Sequence, residues 1–257
     1  MGEEGQAGQE KTQRGVQSVD VAGRFLQALA EARAPLSAAE LATAVGIAPA
    51  QAHPYLVSLT RQGWIKRDHL DDRFEPGPLA LQLARMRLEL DPGLHAAVPL
   101  VAELTARTGC SVAVSVPGPQ GPTIVRYERG NAPLHVNLHV GTVMSLATTA
   151  TGRMYCACVD QAQWVPLFDA LPARPPRAAF LAELDEVRSR GIARSIDIPS
   201  PGVSSLCVPV RDARGALRLL LTAIGPTANI DTTWRGELAR ALLATAAQVA
   251  NSLRGED

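Results

Sequence analysis

Four groups of side chains in this sequence could do chemistry. Cys156 and Cys158 form a C-x-C pair, which could hold a soft metal through two thiolates. His135 and His139 supply two imidazoles, and Asp71 and Asp72 are adjacent carboxylates. Arg61, Lys66, Arg67 and Arg73 gather cations that could neutralise phosphates. The first three groups lose their force on inspection. No second Cys or His pair stands at ligand spacing to Cys156 and Cys158, and the pattern around them is helical. On an alternating strand His135 and His139 would share a face about 13 Å apart, too far for one metal. Asp71 and Asp72 fall in HLDD and read as a solvated turn pair. The sequence contains no G-x-S-x-G elbow, phosphate loop or H-E-x-x-H motif. No catalytic residue, metal or cofactor is therefore expected, and the cationic cluster remains to be placed.

The elements around that cluster are legible. Val19, Ala22, Phe25, Leu26 and Leu29 keep helical spacing. Ser37 to Glu40 form a capping box, which opens a short helix that stops at Gly46. A third helix runs to about Gln62 with Leu56 and Leu59 inward. Two short extended pieces, WIKRD and RFEPG, follow around HLDD. Three helices and a small hairpin make a winged helix-turn-helix plan. In the third helix Pro49 fits the first turn. Pro54 is harder, because an interior proline costs about 3 kcal/mol. A shortened or bent helix, restarting near His53, is the expectation. Gln51 could read a base edge or bind phosphate, His53 could cap or touch phosphate, and Tyr55 could pack or touch DNA.

Beyond the hairpin, Leu79, Leu83, Met86 and Leu90 form a stripe spaced by four, three and four. This stripe reads as core or, on a lone helix between two domains, at least as well as a dimer seam. Asp91, Pro92 and Gly93 then break the chain. The remainder predicts helices around Leu94–Leu104, after Thr149, at Trp164–Leu171, at 180–190 and at Leu238–Leu253. CSVAVSV, TIVRYER, LHVNLHV, IARSI, LCVPV and ALRLLLTAI read as strands. The expected class is α+β: an N-terminal winged helix-turn-helix domain (16–77), a linker helix (78–91) and a C-terminal α/β domain with an antiparallel sheet (92–254), after a disordered tail (1–15).

Composition bounds the function. The 257 residues are 46% hydrophobic, with 25 basic and 25 acidic side chains. That balance points to no nucleic acid, membrane or acidic substrate. No apolar run is long enough to cross a bilayer, and MGEEGQAGQEKTQRG lacks the apolar centre of a signal peptide. The four cysteines show no paired framework, so free thiols in a reducing cytoplasm are expected. Residues 16–77 carry six basic and seven acidic side chains, an unusual balance for a DNA-binding unit.

Six segments in order give the chain a family likeness. They are VQSVD (16–20), PLSAAELATAVGI (35–47), AHPYLVSLTRQGWIKRD (52–68), RFEPGPLAL (73–81), SLATTATGR (145–153) and PGVSSLCVPVRDARG (201–215). Together the sequence resembles the isocitrate-lyase-regulator (IclR) family of transcription factors over residues 16–254. The resemblance implies a winged-helix DNA-binding domain, a linker helix, a GAF-like effector-binding domain, and dimers or tetramers. Its implied partners are a double-stranded DNA operator and a small effector, an organic acid or an aromatic. For DNA contact it points to Ser37, Gln51, His53, Tyr55, Arg61, Lys66, Arg67 and Arg73. Where relatives commonly carry small polar and basic groups at the start of the recognition helix, this chain has Pro49, Ala50, Gln51 and Pro54.

The likeness also implies an effector site at the N-terminus of the helix beginning near Thr149. Free N–H groups and the helix dipole favour an anion there. Ala150 and Thr151 would supply backbone donors, with Ser195, Asp197, Ser205, Thr222 and Ile224 as further contacts. The acid of some relatives is replaced by Ser195, which makes this pocket more neutral. A sensor with weak or no DNA binding, acting through protein contacts, is the competing expectation.

Overall fold

The structure is a computed structural model that describes residues 15–134 and 136–254. All but the last residue of the expected disordered tail, and His135, lie outside the described residues. The chain divides into two compact units at Arg87 and Leu88.

The first unit holds α1 (Gln17–Ala32), α2 (Ala38–Val45), α3 (Pro49–Arg61), β1 (Ile65–Arg67), β2 (Phe74–Pro76) and most of α4 (Pro78–Glu89). Its core joins Phe25, Leu29, Leu41, Val45, Leu56, Leu59 and Ile65. The capping box at α2 is formed as expected. The Glu40 N–H donates to Ser37 Oγ at 3.3 Å, and the Ser37 N–H donates to Glu40 Oε2 at 2.7 Å. The hairpin pairs Ile65 with Pro76 and Arg67 with Phe74. Leu36 adds an isolated bridge to β2, exchanging both backbone bonds with Phe74 at 2.7 and 3.0 Å.

The structure corrects the expectation of a shortened third helix. From Pro49 to Arg61, α3 is one helix with Pro54 inside it. Three features outweigh the proline. Pro49 occupies the first turn, where a missing N–H costs nothing. Gln51 Oε1 accepts from the Ala48 N–H at 3.2 Å, which satisfies one donor at the helix start. Leu56 and Leu59 are 2% and 6% exposed, and burial of each contributes about 1.5–3 kcal/mol. Together they exceed the roughly 3 kcal/mol cost of an interior proline.

Along α4 no residue is buried. Leu83, Met86 and Leu90 are exposed, and Leu79 is half-buried. Asp91 separates α4 from α5 (Pro92–Thr108) by capping the latter, its Oδ1 accepting from the Leu94 N–H at 3.0 Å. Gly93 lies within α5 and is buried rather than forming part of a break.

The second unit continues with β3 (Ser111–Val116), β4 (Thr123–Glu128), α6 (Ala150–Cys158), α7 (Gln161–Asp169), α8 (Arg177–Arg190), β5 (Ala193–Ile196), β6 (Val203–Arg211), β7 (Leu217–Pro226) and α9 (Glu237–Arg254). Its five strands form an antiparallel sheet in the order β4-β3-β7-β6-β5. Alternation along β7 sorts its side chains between two cores. Leu219, Leu221 and Ala223 join α5 and α9, whereas Leu220 joins α6, α7 and α8. Ile224, on the same side as Leu220 and Thr222, joins a small cluster with Ala113, Ile124 and Met144. Trp164, Phe168 and Phe180 stack behind α6, with centroids 4.5–5.8 Å apart.

One expected strand is absent. LHVNLHV (134–140) is irregular over its described residues. The open edge of β4 is bonded instead by the residues just after it, through Ile124 N to Thr142 O, Gly141 N to Ile124 O and Met144 N to Pro122 O, each at 2.8 Å. The alternation has another cause. Leu134 and Leu138 pack on the small cluster around Ile124 and Met144. The described residues of the segment form no strand, so the strand spacing expected of His135 and His139 does not apply.

Replacing Pro54 by Ala should restore one backbone bond and remove the ring clash. The expected gain in N-terminal stability is about 1–3 kcal/mol, less than the full proline cost because proline also restricts the unfolded chain. Hydrogen exchange of the α3 amides measures it, and unchanged protection would contradict this account.

Candidate functional site

Two surfaces collect the expected residues, one in each unit. On α3, Ala52, Leu56 and Leu59 face inward and are buried. Tyr55 also turns inward, its ring 5.9 Å from Phe25. That takes Tyr55 off the outward face on which DNA contact was expected. Gln51, His53 and Arg61 lie exposed. Ser37 is half-buried and spends its hydroxyl on the α2 cap.

The cations of the hairpin are engaged by neighbouring carboxylates. Lys66 Nζ lies 2.6 Å from Glu75, and Arg67 pairs with Asp72. Arg73 meets Glu40 at 3.1 Å and donates to the Pro35 carbonyl at 2.8 Å. Among the described residues, Arg61 has no such partner. Exposed pairs of this kind contribute about 0–1 kcal/mol, so a phosphate can take over Lys66 or Arg67 at small cost. Arg73 differs, because it also ties the wing to the start of α2. The Glu40 carboxyl is held below the usual carboxylate range, first by the Ser37 N–H and then by the Ser37 hydroxyl, with Arg73 adding to the effect.

In the second unit a cavity of about 200 Å³ opens beside the first turn of α6. Thr151, Ser205, Thr222 and Ile224, four of the positions that the family likeness singled out, line it. Sheet register brings them together: Thr222 and Ile224 alternate on β7, and Ser205 of β6 pairs with Ile224. Thr151 Oγ1 and Thr222 Oγ1 lie 2.8 Å apart. Thr149 caps α6, accepting from the Gly152 N–H at 2.9 Å. The N–H groups of Ala150 and Thr151 are therefore in a first turn with no helical carbonyl behind them.

Three expected residues stand outside the cavity lining. Ala150 is fully buried, with its side chain in the core behind α6. Ser195 is buried and has committed its hydroxyl to the carbonyls of Ile198, at 2.6 Å, and Thr148, at 3.2 Å. Asp197 folds its own loop, accepting from Thr227 Oγ1 at 2.7 Å and the Gly202 N–H at 2.9 Å. Thr149 and Val203 also line the cavity. Val136, Asn137, Leu138, Met144 and the 198–200 turn complete the wall without having been singled out in sequence. They come from irregular segments, which carry no periodic signal.

Among the described residues no charged side chain lines the cavity; its described wall is apolar carbon and neutral hydroxyl or amide groups. Behind the Thr151–Thr222 pair, burial pushes the Cys207 thiol up to about 12. Burial likewise pushes Cys156 up to about 12, so both thiols are neutral at pH 7 and poor metal ligands. Among the described residues no cluster of three His, Cys, Asp or Glu side chains could hold a metal.

Arg153 braces the site from behind. Its guanidinium donates to the Ala147 carbonyl at 2.8 Å and the Arg194 carbonyl at 2.6 Å, linking the turn before α6 to β5. Burial lowers its pKa, and Glu183 opposes that shift.

Comparison with known proteins bears on both surfaces. A family model described as the IclR helix-turn-helix domain matches residues 18–69. A second, described as the bacterial transcriptional regulator IclR C-terminal domain, matches residues 92–251. The glycerol operon regulatory protein of Streptomyces coelicolor is 27% identical over 246 residues, 93% of this chain and 96% of that protein. Among solved structures, Pseudomonas aeruginosa HmgR is 29% identical with a TM-score of 0.60, covering 93% of this chain and 98% of its own. An IclR homologue from Microbacterium hydrocarbonoxydans, solved with 4-hydroxybenzoate, shares the fold at 15% identity and a TM-score of 0.75, covering 93% and 100%.

Arg153→Lys should leave one of the two carbonyls without its donor, since a single ammonium lacks the guanidinium fork. A buried unpaired acceptor costs about 1–3 kcal/mol, and the C-terminal unit should lose that much stability in urea unfolding. A variant as stable as the parent would show that Arg153 braces nothing.

Proposed function

We infer that this chain, which belongs to the IclR family of bacterial transcriptional regulators, is an operator-binding switch set by a small organic acid. It is a DNA-binding transcriptional regulator with a C-terminal effector domain. The effector reading rests chiefly on one observation: among the described residues, the cavity beside the first turn of α6 has no charged side chain in its wall. A single negative charge placed there meets the Ala150 and Thr151 N–H groups and the positive end of the helix dipole. Ser205 and the Thr151–Thr222 hydroxyl pair offer further donors to polar atoms of the ligand. An apolar cavity of about 150 Å³ accepts benzene. The volume here therefore suits one ring bearing a carboxylate. The 4-hydroxybenzoate bound by the Microbacterium homologue supports this class, whereas the Streptomyces relative's name points to glycerol.

On the DNA side, Gln51, His53, Arg61, Lys66 and Arg67 serve as the contacts, with Arg73 holding the wing. The bare stripe of Leu83, Met86 and Leu90 suits a helix that pairs with its copy in a dimer. No helix among the described residues is long and apolar enough to cross a membrane. A regulator of this kind works in the cytoplasm, where the operator is.

A thermal-shift screen tests the effector class. An aromatic monocarboxylate present at 100 times its dissociation constant should stabilise the protein by about 2.7 kcal/mol, and its neutral amide much less. The same acid should change retention of the DNA upstream of the chain's own gene in a mobility-shift assay. Stabilisation by glycerol and by neutral amides, with no preference for acids, would overturn the anion reading. DNA that is never retained would favour a sensor acting through protein contacts. Separately, Leu83→Glu should lower the mass seen in light scattering to that of a monomer. An unchanged mass would place the stripe elsewhere than at the seam.

A further inference from the structure

The outward face of α3 is apolar along its midline. Residues advance about 100° per position around a helix, so Ala50, Pro54 and Val57, spaced by four and three, stand in one line. That line lies opposite the buried Ala52, Leu56 and Leu59. All three are exposed, Val57 to 49%. The polar residues flank the line: His53 and Thr60 on one side, Gln51 and Ser58 on the other. Only at Arg61, at the end of the helix, does a cation reach the midline.

This arrangement limits which base pairs the helix can read. Guanine is read by an Arg or Lys that reaches its O6 and N7 together, and none stands on the midline before Arg61. Adenine is read by Asn or Gln, but Gln51 Oε1 is committed to the Ala48 N–H at the helix start. What the midline offers is carbon, and in the major groove the carbon target is the C5-methyl group of thymine. The surroundings favour DNA over an apolar partner. His53, Arg61 and Arg67 line a groove along the edge of the same helix, where phosphates would run.

We propose that Ala50, Pro54 and Val57 form an apolar reading stripe that selects thymine methyl groups in the operator half-site. The proposal rests on the operator-binding reading above. Pro54, costly to the helix, then has a use. Its ring presents rigid apolar surface to the groove and loses no side-chain freedom on binding.

The test is selection of bound duplexes from a random library by the full-length protein, followed by replacement of each dT in the selected site with dU. The exchange removes one methyl group and leaves base pairing intact. At one or more positions per half-site, dU should weaken binding about fourfold, the effect of uncovering one buried methyl-sized group. Val57→Ser should bind the dU duplex as the parent does and lose the dT preference at one of those positions. Lys66→Gln, a phosphate-contact control, should weaken dT and dU duplexes equally and reduce the log-affinity against log-salt slope by about 1. Equal affinity for dT and dU at every position, or selected sites whose specificity lies wholly at guanines, would refute the stripe while leaving operator binding intact. If no sequence is enriched, operator binding and the stripe fail together.

Discussion

The cavity depends on how closely the turn before α6 is held to the start of that helix. At Gly152 an added Cβ would lie 2.0 Å from the Ser145 carbonyl oxygen, so no other residue fits without moving the turn. Thr149 locks the same point from both directions. Its hydroxyl donates to the Ser145 carbonyl at 2.7 Å and accepts from the Gly152 N–H. Arg153 then bridges the turn to β5. Three consecutive contacts thus fix where the first-turn N–H groups sit relative to Thr222 and Ser205 on the sheet. Preorganisation of this kind is what the proposed holding of an anion by backbone donors requires, because little ordering is left for the ligand to impose.

The N-terminal unit solves a different problem with few cations. Six basic groups face seven acidic ones across residues 16–77, so long-range attraction to DNA is weak. Carboxylates in the wing and at α2 hold Lys66, Arg67 and Arg73 in place. Lys66 and Arg67 can pass to a phosphate at small cost, because such exposed pairs are weak, whereas Arg73 also ties the wing to the start of α2. Low net charge also limits indiscriminate binding along the duplex, and in the proposed reading more of the burden of recognition then falls on base contacts from α3.

Most of the architecture was legible in the sequence because its signals are local. The Ser37–Glu40 box, the helix stop at Gly46, and the alternation in β3 and β4 each report one element directly. The failures were non-local. Pro54 reads as a helix breaker until the burial of Leu56 and Leu59 is weighed against it. Residues 134–140 alternate as a strand does, but no described strand partner stands beside them. Ser195 and Asp197 were placed at the pocket by family likeness. In the fold the Ser195 hydroxyl bonds Ile198 and the distant Thr148, and the Asp197 carboxylate bonds Gly202 and the distant Thr227. Thr151 and Thr222 lie 71 residues apart in sequence and 2.8 Å apart in space, a pairing that sheet register alone creates.

The central claim is that backbone N–H groups at the start of α6 hold the effector's charge. Amide chemical shifts of the isotopically labelled protein, followed during titration with benzoate, test it most directly. The Ala150 and Thr151 resonances should move together and saturate at one dissociation constant, with Ser205 and Thr222 following the same curve. If these four resonances stay still while others shift, the anion sits elsewhere and the account of the cavity is wrong.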